Sequence, residues 1–120
     1  MHTMTTSEIA TVLAWHDALN GSDIDTLVAL SSDDIEVGDE RGAGQGHDAL
    51  RKWAAARQEA AEVGRIFVHD GIVVVELNTA NTTAAAAFRV VRDHITSVFG
   101  HRDLAAALAA TDLTEADLVD

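Results

Sequence analysis

The chain has 120 residues, of which 48% are hydrophobic and 23% charged, a composition typical of a folded globular protein rather than a disordered one. Its formal net charge of -12 disfavours nucleic acid and anionic membrane surfaces as partners, because like charges repel. The absence of cysteine excludes disulfides, thiolate nucleophiles and cysteine-based metal sites.

Two predicted helices follow one another almost without a linker. Apolar residues at helical spacings predict an amphipathic helix over Glu8 to Leu19, with Thr5 or Ser7 as its cap. The pair Asn20-Gly21 is a helix stop, since both residues tolerate the left-handed conformation. Ser22 then resembles the N-terminal cap of a second, short helix.

The first strand is predicted directly after the second helix. Residues Ile35 to Asp39 alternate apolar and polar side chains, so Asp39 is expected at the end of a strand. The glycine-rich segment Arg41 to Gly46 comes next. It is read as a loop before a third helix, which is predicted from about His47 to Val63. Neither Lys-Ser nor Lys-Thr follows the last glycine, so this segment is not a Walker-type loop, and its spacing does not match the dinucleotide-binding fingerprint.

The remaining chain changes to the period of β-strands. Ile66 to His69 and Ile72 to Leu77 are predicted to form a hairpin around an Asp70-Gly71 turn, which places Arg65 opposite Glu76.

A second hairpin is predicted from Ala84 to Arg92 and from Ile95 to Arg102, with its turn at Asp93-His94. Pairing Arg92 with Ile95 sets the register. The expected partners are Val90 with Ser97, Phe88 with Phe99 and Ala86 with His101 on one face, and Arg89 with Val98 and Ala87 with Gly100 on the other. Asp103 is predicted to cap a last helix from Leu104 to Ala110. Because helices precede antiparallel strands, we expect an α+β fold in which the N-terminal helices pack on one face of a curved sheet.

Several of these segments resemble the nuclear transport factor 2-like superfamily, which includes ketosteroid isomerases and SnoaL-type polyketide cyclases. They are ALNGSDIDTLVALSSDD at 18–34, the small-residue loop ending in Gly46, FRVVRDHI at 88–95 and HRDLAAALA at 101–109. The resemblance implies a cone-shaped α+β barrel whose mouth is lined by the first helix, the first strand and the concave sheet face. It also implies a homodimer through the outer sheet face, on which we expect Ala85, Ala87, Arg89, Val91 and Val98.

The resemblance further implies a candidate base. Asp39 falls where ketosteroid isomerases keep a general-base aspartate, while Trp15 and Ala86 replace the two groups that bind the oxyanion there. The predicted register places His101 opposite Ala86, so an imidazole could supply the missing donor. The expected ligand is a small hydrophobic carbonyl compound, and the expected activity is that of a proton-transfer isomerase or cyclase. Trp15, Trp53, Phe88 and Phe99 are expected to form the apolar wall, and His16 is a secondary pocket candidate.

Simpler interpretations stay open at this stage. Asp39 could be a solvated acid at a strand end, and His101 a packed histidine. The chain could equally be a non-catalytic ligand-binding or dimeric interaction protein. No cofactor and no metal are expected, because the six histidines are scattered without paired ligand spacings.

Two properties bear on domain organisation and location. No apolar run approaches the roughly 20 residues of a membrane span, and Met1 to Ser7 lack the charged start and apolar core of a signal peptide. We therefore expect residues 1–120 to form a single domain in the cytoplasm.

Overall fold

A curved sheet carries three helices on its concave face and one on its convex face. The computed structural model describes residues 3–39, 42–56, 61–80 and 82–119. The helices are α1 (Thr3–Asn20), α2 (Ile24–Ala29), α3 (His47–Ala55) and α4 (Leu104–Thr111), followed by a 3-10 turn, Glu115–Asp117. The strands are β1 (Ser31–Asp39), β2 (Gly42–Gln45), β3 (Glu62–His69), β4 (Ile72–Asn78), β5 (Thr83–Val91) and β6 (His94–His101).

The six strands are ordered β2-β1-β6-β5-β4-β3, and only the β1 and β6 pair is parallel. The sheet is open, since β2 and β3 are its two edges. The predicted α+β class, with N-terminal helices in the concave face of a mostly antiparallel sheet, is confirmed.

Trp15 of α1 is the centre of the concave face. It is 0% exposed, its indole N–H donates to Ser31 Oγ at 2.9 Å, and Ser31 in turn donates to the Leu27 carbonyl at 2.8 Å. The Trp15 ring centroid lies 5.8 Å from that of Trp53 and 5.3 Å from that of Phe88. A single side chain therefore links α1 with β1, α3 and β5.

The helix boundaries correct two predicted caps. α1 begins at Thr3, so Thr5 and Ser7 lie inside the helix rather than before it. It ends at Asn20 as predicted. Ser22 adopts the left-handed conformation, with φ of 58°, and Asp23 caps α2 by accepting from the Thr26 N–H. The cap is displaced by one residue because Ser22 is used in the turn.

The third helix is shorter than predicted. α3 ends at Ala55, and residues 57–60 lie outside the described part of the chain. Val63 is in β3 and pairs with Leu77, so strand pairing overrides the helical pattern there.

The glycine-rich segment supplies an unpredicted strand, Gly42–Gln45, which is antiparallel to β1. A Cβ on Gly38 would lie 2.6 Å from the Gly42 carbonyl oxygen. The close approach of β2 to β1 therefore requires glycine at position 38.

The first hairpin has the predicted turn and ion pair. Asp70 and Gly71 both have positive φ, of 50° and 79°, as a type I′ turn requires. Arg65 Nη2 lies 3.1 Å from Glu76 Oε2, and this contact lowers the pKa of the Glu76 carboxyl.

The second hairpin has a different register from the predicted one. Its two turn residues are Arg92 and Asp93, with φ of 52° and 65°, and an irregularity near Thr96 shifts the pairing beyond it. The observed partners are Ala85 with His101, Ala86 with Gly100, Ala87 with Phe99, Phe88 with Val98 and Arg89 with Ser97. The prediction was wrong by one residue because neither the turn position nor the bulge has a distinct sequence signal.

This register separates side chains that were expected to share a face. Phe88 and Val98 lie in the core on the concave face, while Phe99 and His101 alternate to the other face with Ala85 and Ala87. Val98 therefore does not belong to the outer face, contrary to its assignment there.

The convex face is partly covered. α4 packs on β4, β5 and β6, and Ala107 of α4 forms a small core with Val74, Ala85 and Ala87. Asp103 caps α4 by accepting from the Ala106 N–H at 2.8 Å, as predicted.

Glu8 of α1 gives a test of how α1 packs beside the first hairpin. Burial and then the Asp70 carboxylate raise the pKa of Glu8. The folded state thus holds this proton more tightly than the unfolded chain does. Stability is then fully present below the ordinary glutamate pKa and declines as pH rises through the raised pKa.

We expect Glu8→Gln, which resembles the protonated carboxyl, to raise the melting temperature at neutral pH and to have no effect in acid below the ordinary glutamate pKa. Glu62→Gln, at the exposed start of β3, controls for net charge. Thermal unfolding at several pH values measures the difference. A rise that persists in acid would contradict the assignment.

Candidate functional site

A cavity of about 360 Å³ opens at the ends of the strands, between the sheet and α3. It is called the mouth cavity below. Its lining is Asp39, Trp53, Ala61, Leu77, Thr79, Ala84, Ala85, Ala86, Gly100, His101 and Arg102. The strand ends of β1, β4, β5 and β6 thus meet one aromatic side chain from α3.

Small residues make room in this cavity. Ala86 and Gly100 are direct partners across β5 and β6, and neither carries more than a methyl group. Asp39 ends β1, the strand beside β6, and a Cβ built on Gly100 would lie 3.6 Å from the Asp39 Cβ. The absence of a side chain on Gly100 therefore leaves room in the cavity beside Asp39.

Asp39 and His101 are brought to the same cavity. Asp39 is exposed at the end of β1, and His101 is half-buried at the end of β6. His101 pairs with Ala85 rather than with Ala86, so it approaches the cavity from the rim. Asp39 can accept a proton, and a neutral imidazole can donate one hydrogen bond.

The four aromatic residues divide into three groups. Trp53 lines the mouth cavity, whereas Trp15 lines neither of the cavities that contain Asp39. Phe88 is buried against Trp15 in the core. Phe99 lines a separate cavity on the convex face.

His16 has a structural contact away from these residues. It is 4% exposed, and its Nε2 lies 2.9 Å from the Ala61 carbonyl oxygen, to which Asn20 also donates at 2.9 Å. A carbonyl can only accept, so Nε2 carries the proton. His16 lines a polar groove between α1 and the start of β3, and it joins these two elements.

A second cavity, of about 480 Å³, lies on the convex face beside the end of α4. It is called the outer cavity below. Asp39, Gly100 and His101 line both this cavity and the mouth cavity. The end of β6, where Gly100 has no side chain, therefore separates the mouth cavity from the outer cavity.

Two polar residues of the mouth cavity, Arg102 and Thr79, were not identified as site residues from the sequence. Arg102 follows His101, and its side chain is 76% exposed with Nε 4.0 Å from Asp103 Oδ2. Thr79 lies in the connection after β4. Their positions after strand ends were a usable signal, since connections at strand ends often carry function.

Among the residues that the structure describes, no three His, Asp or Glu side chains are grouped so that they could hold a metal ion. Within the same residues, no helix is long and apolar enough to cross a membrane.

The fold is similar to that of solved nuclear transport factor 2-like proteins. An NTF2-like protein of unknown function from Cytophaga hutchinsonii has 18% identity and a TM-score of 0.68, with 80% of this chain and 89% of that chain covered. A candidate polyketide cyclase from Sinorhizobium meliloti has 22% identity and a TM-score of 0.72, covering 77% and 94%. TerC, whose structure was determined with polyporic acid, has 16% identity and a TM-score of 0.71, covering 89% and 97%.

A match to a family model gives a narrower classification than the fold alone. The model of the SnoaL-like domain matches residues 12–107, and the chain belongs to the SnoaL-like domain family. No protein of curated function matches it in sequence.

The space beside Gly100 can be tested by filling it. A Cβ there makes only ordinary contacts, 3.6 Å from Asp39 Cβ and 3.9 Å from the Gly38 carbonyl oxygen. We therefore expect Gly100→Ala to fold normally. We expect Gly100→Leu to place its side chain in the mouth cavity and to weaken binding of a hydrophobic ketone about tenfold or more, because several apolar ligand contacts are lost.

Gly21→Leu is the matched control, since Gly21 is exposed away from the cavity and a Cβ there makes an ordinary contact, 3.4 Å from the Asp17 carbonyl oxygen. Calorimetric titration with a ketone such as acetonaphthone measures the affinities. Equal affinities for Gly100→Leu and the unchanged protein would place the ligand elsewhere.

Proposed function

We propose that this protein binds a small hydrophobic carbonyl compound in the mouth cavity and transfers a proton on it, with Asp39 as the base. The observation that carries this proposal is that Asp39 and His101 line one cavity together with Trp53. From the sequence alone, His101 was placed near Asp39 only through the register predicted for the second hairpin, and that register is wrong by one residue.

The shape and charge of the cavity support a neutral, mostly apolar ligand. Its volume of about 360 Å³ is near the lower end for small-molecule pockets, which is roughly 300 Å³. Trp53, Leu77 and Ala86 give it an apolar wall. A net charge of -12 makes a phosphorylated ligand unfavourable.

The chemistry follows from the two polar groups at the rim. The Asp39 carboxylate accepts a proton from the carbon next to the ligand carbonyl. The electron pair of that C–H bond forms the C=C bond of an enolate, and the enolate oxygen accepts a hydrogen bond from the His101 N–H. An isomerase returns the proton from Asp39 to a different carbon of the ligand.

A cyclase uses the same enolate differently. The enolate carbon forms a bond to a second carbonyl carbon of the same ligand, and the oxygen of that carbonyl receives the proton from Asp39. In both reactions Asp39 gives back the proton and ends ionised, and no electron or chemical group leaves the ligand. Neither reaction therefore requires a cofactor.

The oxyanion donors differ from those of ketosteroid isomerases. The Trp15 N–H is already bonded to Ser31 at 2.9 Å, and Ala86 has no donor. Donors for a ligand oxygen therefore come from His101 and Arg102 at the rim, since the Thr79 hydroxyl already donates to the Thr82 carbonyl at 3.1 Å.

Relatives with this fold are consistent with small-molecule chemistry. One of them is a candidate polyketide cyclase, and TerC was crystallised with polyporic acid.

The proposed base is tested by hydrogen exchange. In deuterated water we expect the protein to accelerate deuterium incorporation next to the carbonyl of a bound ketone, followed by NMR. Asp39→Asn should reduce this rate by about a hundredfold or more, since a positioned general base contributes about that factor. Asp34→Asn, which removes an exposed carboxylate from the same strand, is the control. Equal exchange with Asp39→Asn and with the unchanged protein would remove Asp39 from the mechanism.

A second candidate function is that of a non-catalytic dimeric protein. It is favoured by the convex face, where Val91 is 47% exposed and Phe99 and Ile72 are only half-buried. A homodimer would cover these side chains. Without Val98, which is in the core, its contact surface is centred on Arg89 and Val91.

We expect sedimentation equilibrium to show a dimer at micromolar concentration and Val91→Lys to shift it towards monomer, because it adds positive charge beside Arg89 in the contact. Leu13→Lys, at an exposed apolar position of α1, is the control. A protein that stays monomeric at high micromolar concentration would rule out this dimer.

A further inference from the structure

We propose that the outer cavity is a second binding site, specific for an amphipathic carboxylate whose charged end contacts Arg89 and Ser97 and whose apolar chain lies along Phe99. This site is on the opposite face of the sheet from the wall of the mouth cavity, and the proposal does not depend on proton transfer at Asp39.

The charged end of the ligand is assigned from two cross-strand partners. Arg89 and Ser97 are directly paired across β5 and β6, and both line the outer cavity. A guanidinium can bind a carboxylate through two parallel hydrogen bonds, and an adjacent hydroxyl can donate a third.

Arg89 also lacks a carboxylate partner among the described residues. Within that part of the chain no Asp or Glu lies within salt-bridge distance of its guanidinium, whereas Arg51 and Arg65 are paired at 3.1 Å with Asp48 and Glu76. Glu36 pairs with Ser97 from β1, so it is one strand from the Ser97 contact and two strands from Arg89, which is the charged group that attracts the ligand. In a chain with a net charge of -12, an arginine beside an apolar cavity gives that cavity a local preference for anions.

The apolar part of the ligand is assigned from the neighbouring rows of the sheet. Ile72 pairs with Arg89, and the next row towards the strand end is Ala87 with Phe99. The row after that is Ala85 with His101. Four residues along a strand span roughly 13 Å, which matches an extended chain of about ten carbons.

The far end of the outer cavity fixes the direction of the ligand. Asp39 lines the cavity beside His101, about four residues along the strands from the Arg89 row. Its negative charge repels a carboxylate, while Arg89 attracts one at the other end. The ligand therefore has its apolar end towards Asp39.

The end of α4 bounds one side of the outer cavity. Ala110 and Thr111 line it there, and the Thr111 hydroxyl donates back to the Ala107 carbonyl at 2.9 Å. Phe99 lines the same cavity, so an alkyl chain along Phe99 would also contact this helix end.

The test uses decanoate as the probe and 1-decanol as its uncharged counterpart, both below their aggregation limits, with calorimetric titration of the full chain. We expect decanoate to bind more tightly than decanol despite the negative charge of the protein. Arg89→Gln should weaken decanoate binding about tenfold or more and leave decanol binding unchanged, because a charge-assisted hydrogen bond is lost. Arg92→Gln, on the same hairpin but outside the cavity, is the charge-matched control.

A second pair of variants tests the cavity without changing charge. Ala110 is exposed and lines the cavity, so Ala110→Trp should block it and abolish binding of both probes. Ala109→Trp, at the adjacent exposed position, should not. Circular dichroism is used to check that each variant is folded.

Three results would overturn the proposal. One is decanoate affinity that is unchanged in both Arg89→Gln and Ala110→Trp, which would move the ligand to another surface. Another is no decanoate binding by the unchanged protein. Binding that is lost in Gly100→Leu but kept in Ala110→Trp would assign decanoate to the mouth cavity and also contradicts the outer site.

Discussion

The burial of the Trp15 indole is the constraint on which the rest of this structure depends. The ring fills the concave face between α3 and β5, and its N–H is satisfied by Ser31 at the start of β1. If the buried indole N–H had no partner, the folded state would be destabilised by roughly 1 to 3 kcal/mol. The contact therefore fixes the position of α1 relative to β1. The Trp15 ring also occupies interior space that would otherwise be open to a ligand.

Because Trp15 and Phe88 occupy the interior, the open space lies at the strand ends. There the sheet carries Ala86 and Gly100 instead of larger side chains, and Asp39 borders the gap. The same thin region separates the mouth cavity from the outer cavity, which share Asp39, Gly100 and His101. A ligand on either face is therefore close to the same carboxylate, so the two sites would affect each other's affinity.

The elements with strong local signals were predictable. The Asp70-Gly71 turn and the cap at Asp103 follow from the chemistry of single residues. The end of α1 at Asn20 was predicted in place, but the left-handed residue that follows it is Ser22 rather than Asn20 or Gly21. The register of the second hairpin was not, because its bulge near Thr96 depends on tertiary packing. That one-residue difference decides that Phe99 faces the outer cavity and that His101 reaches the mouth cavity from its rim. Asp39 was identified through a family resemblance, and its neighbours were visible only in three dimensions.

The most direct test of the mouth cavity as the ligand site is a crystal structure of the protein with a bound hydrophobic ketone such as acetonaphthone. We expect the aromatic body against Trp53, the carbonyl oxygen within hydrogen-bond distance of His101, and the carbon next to the carbonyl beside the Asp39 carboxylate. A ketone found in the groove beside His16, or on the convex face under α4, with the mouth cavity empty, would contradict this expectation.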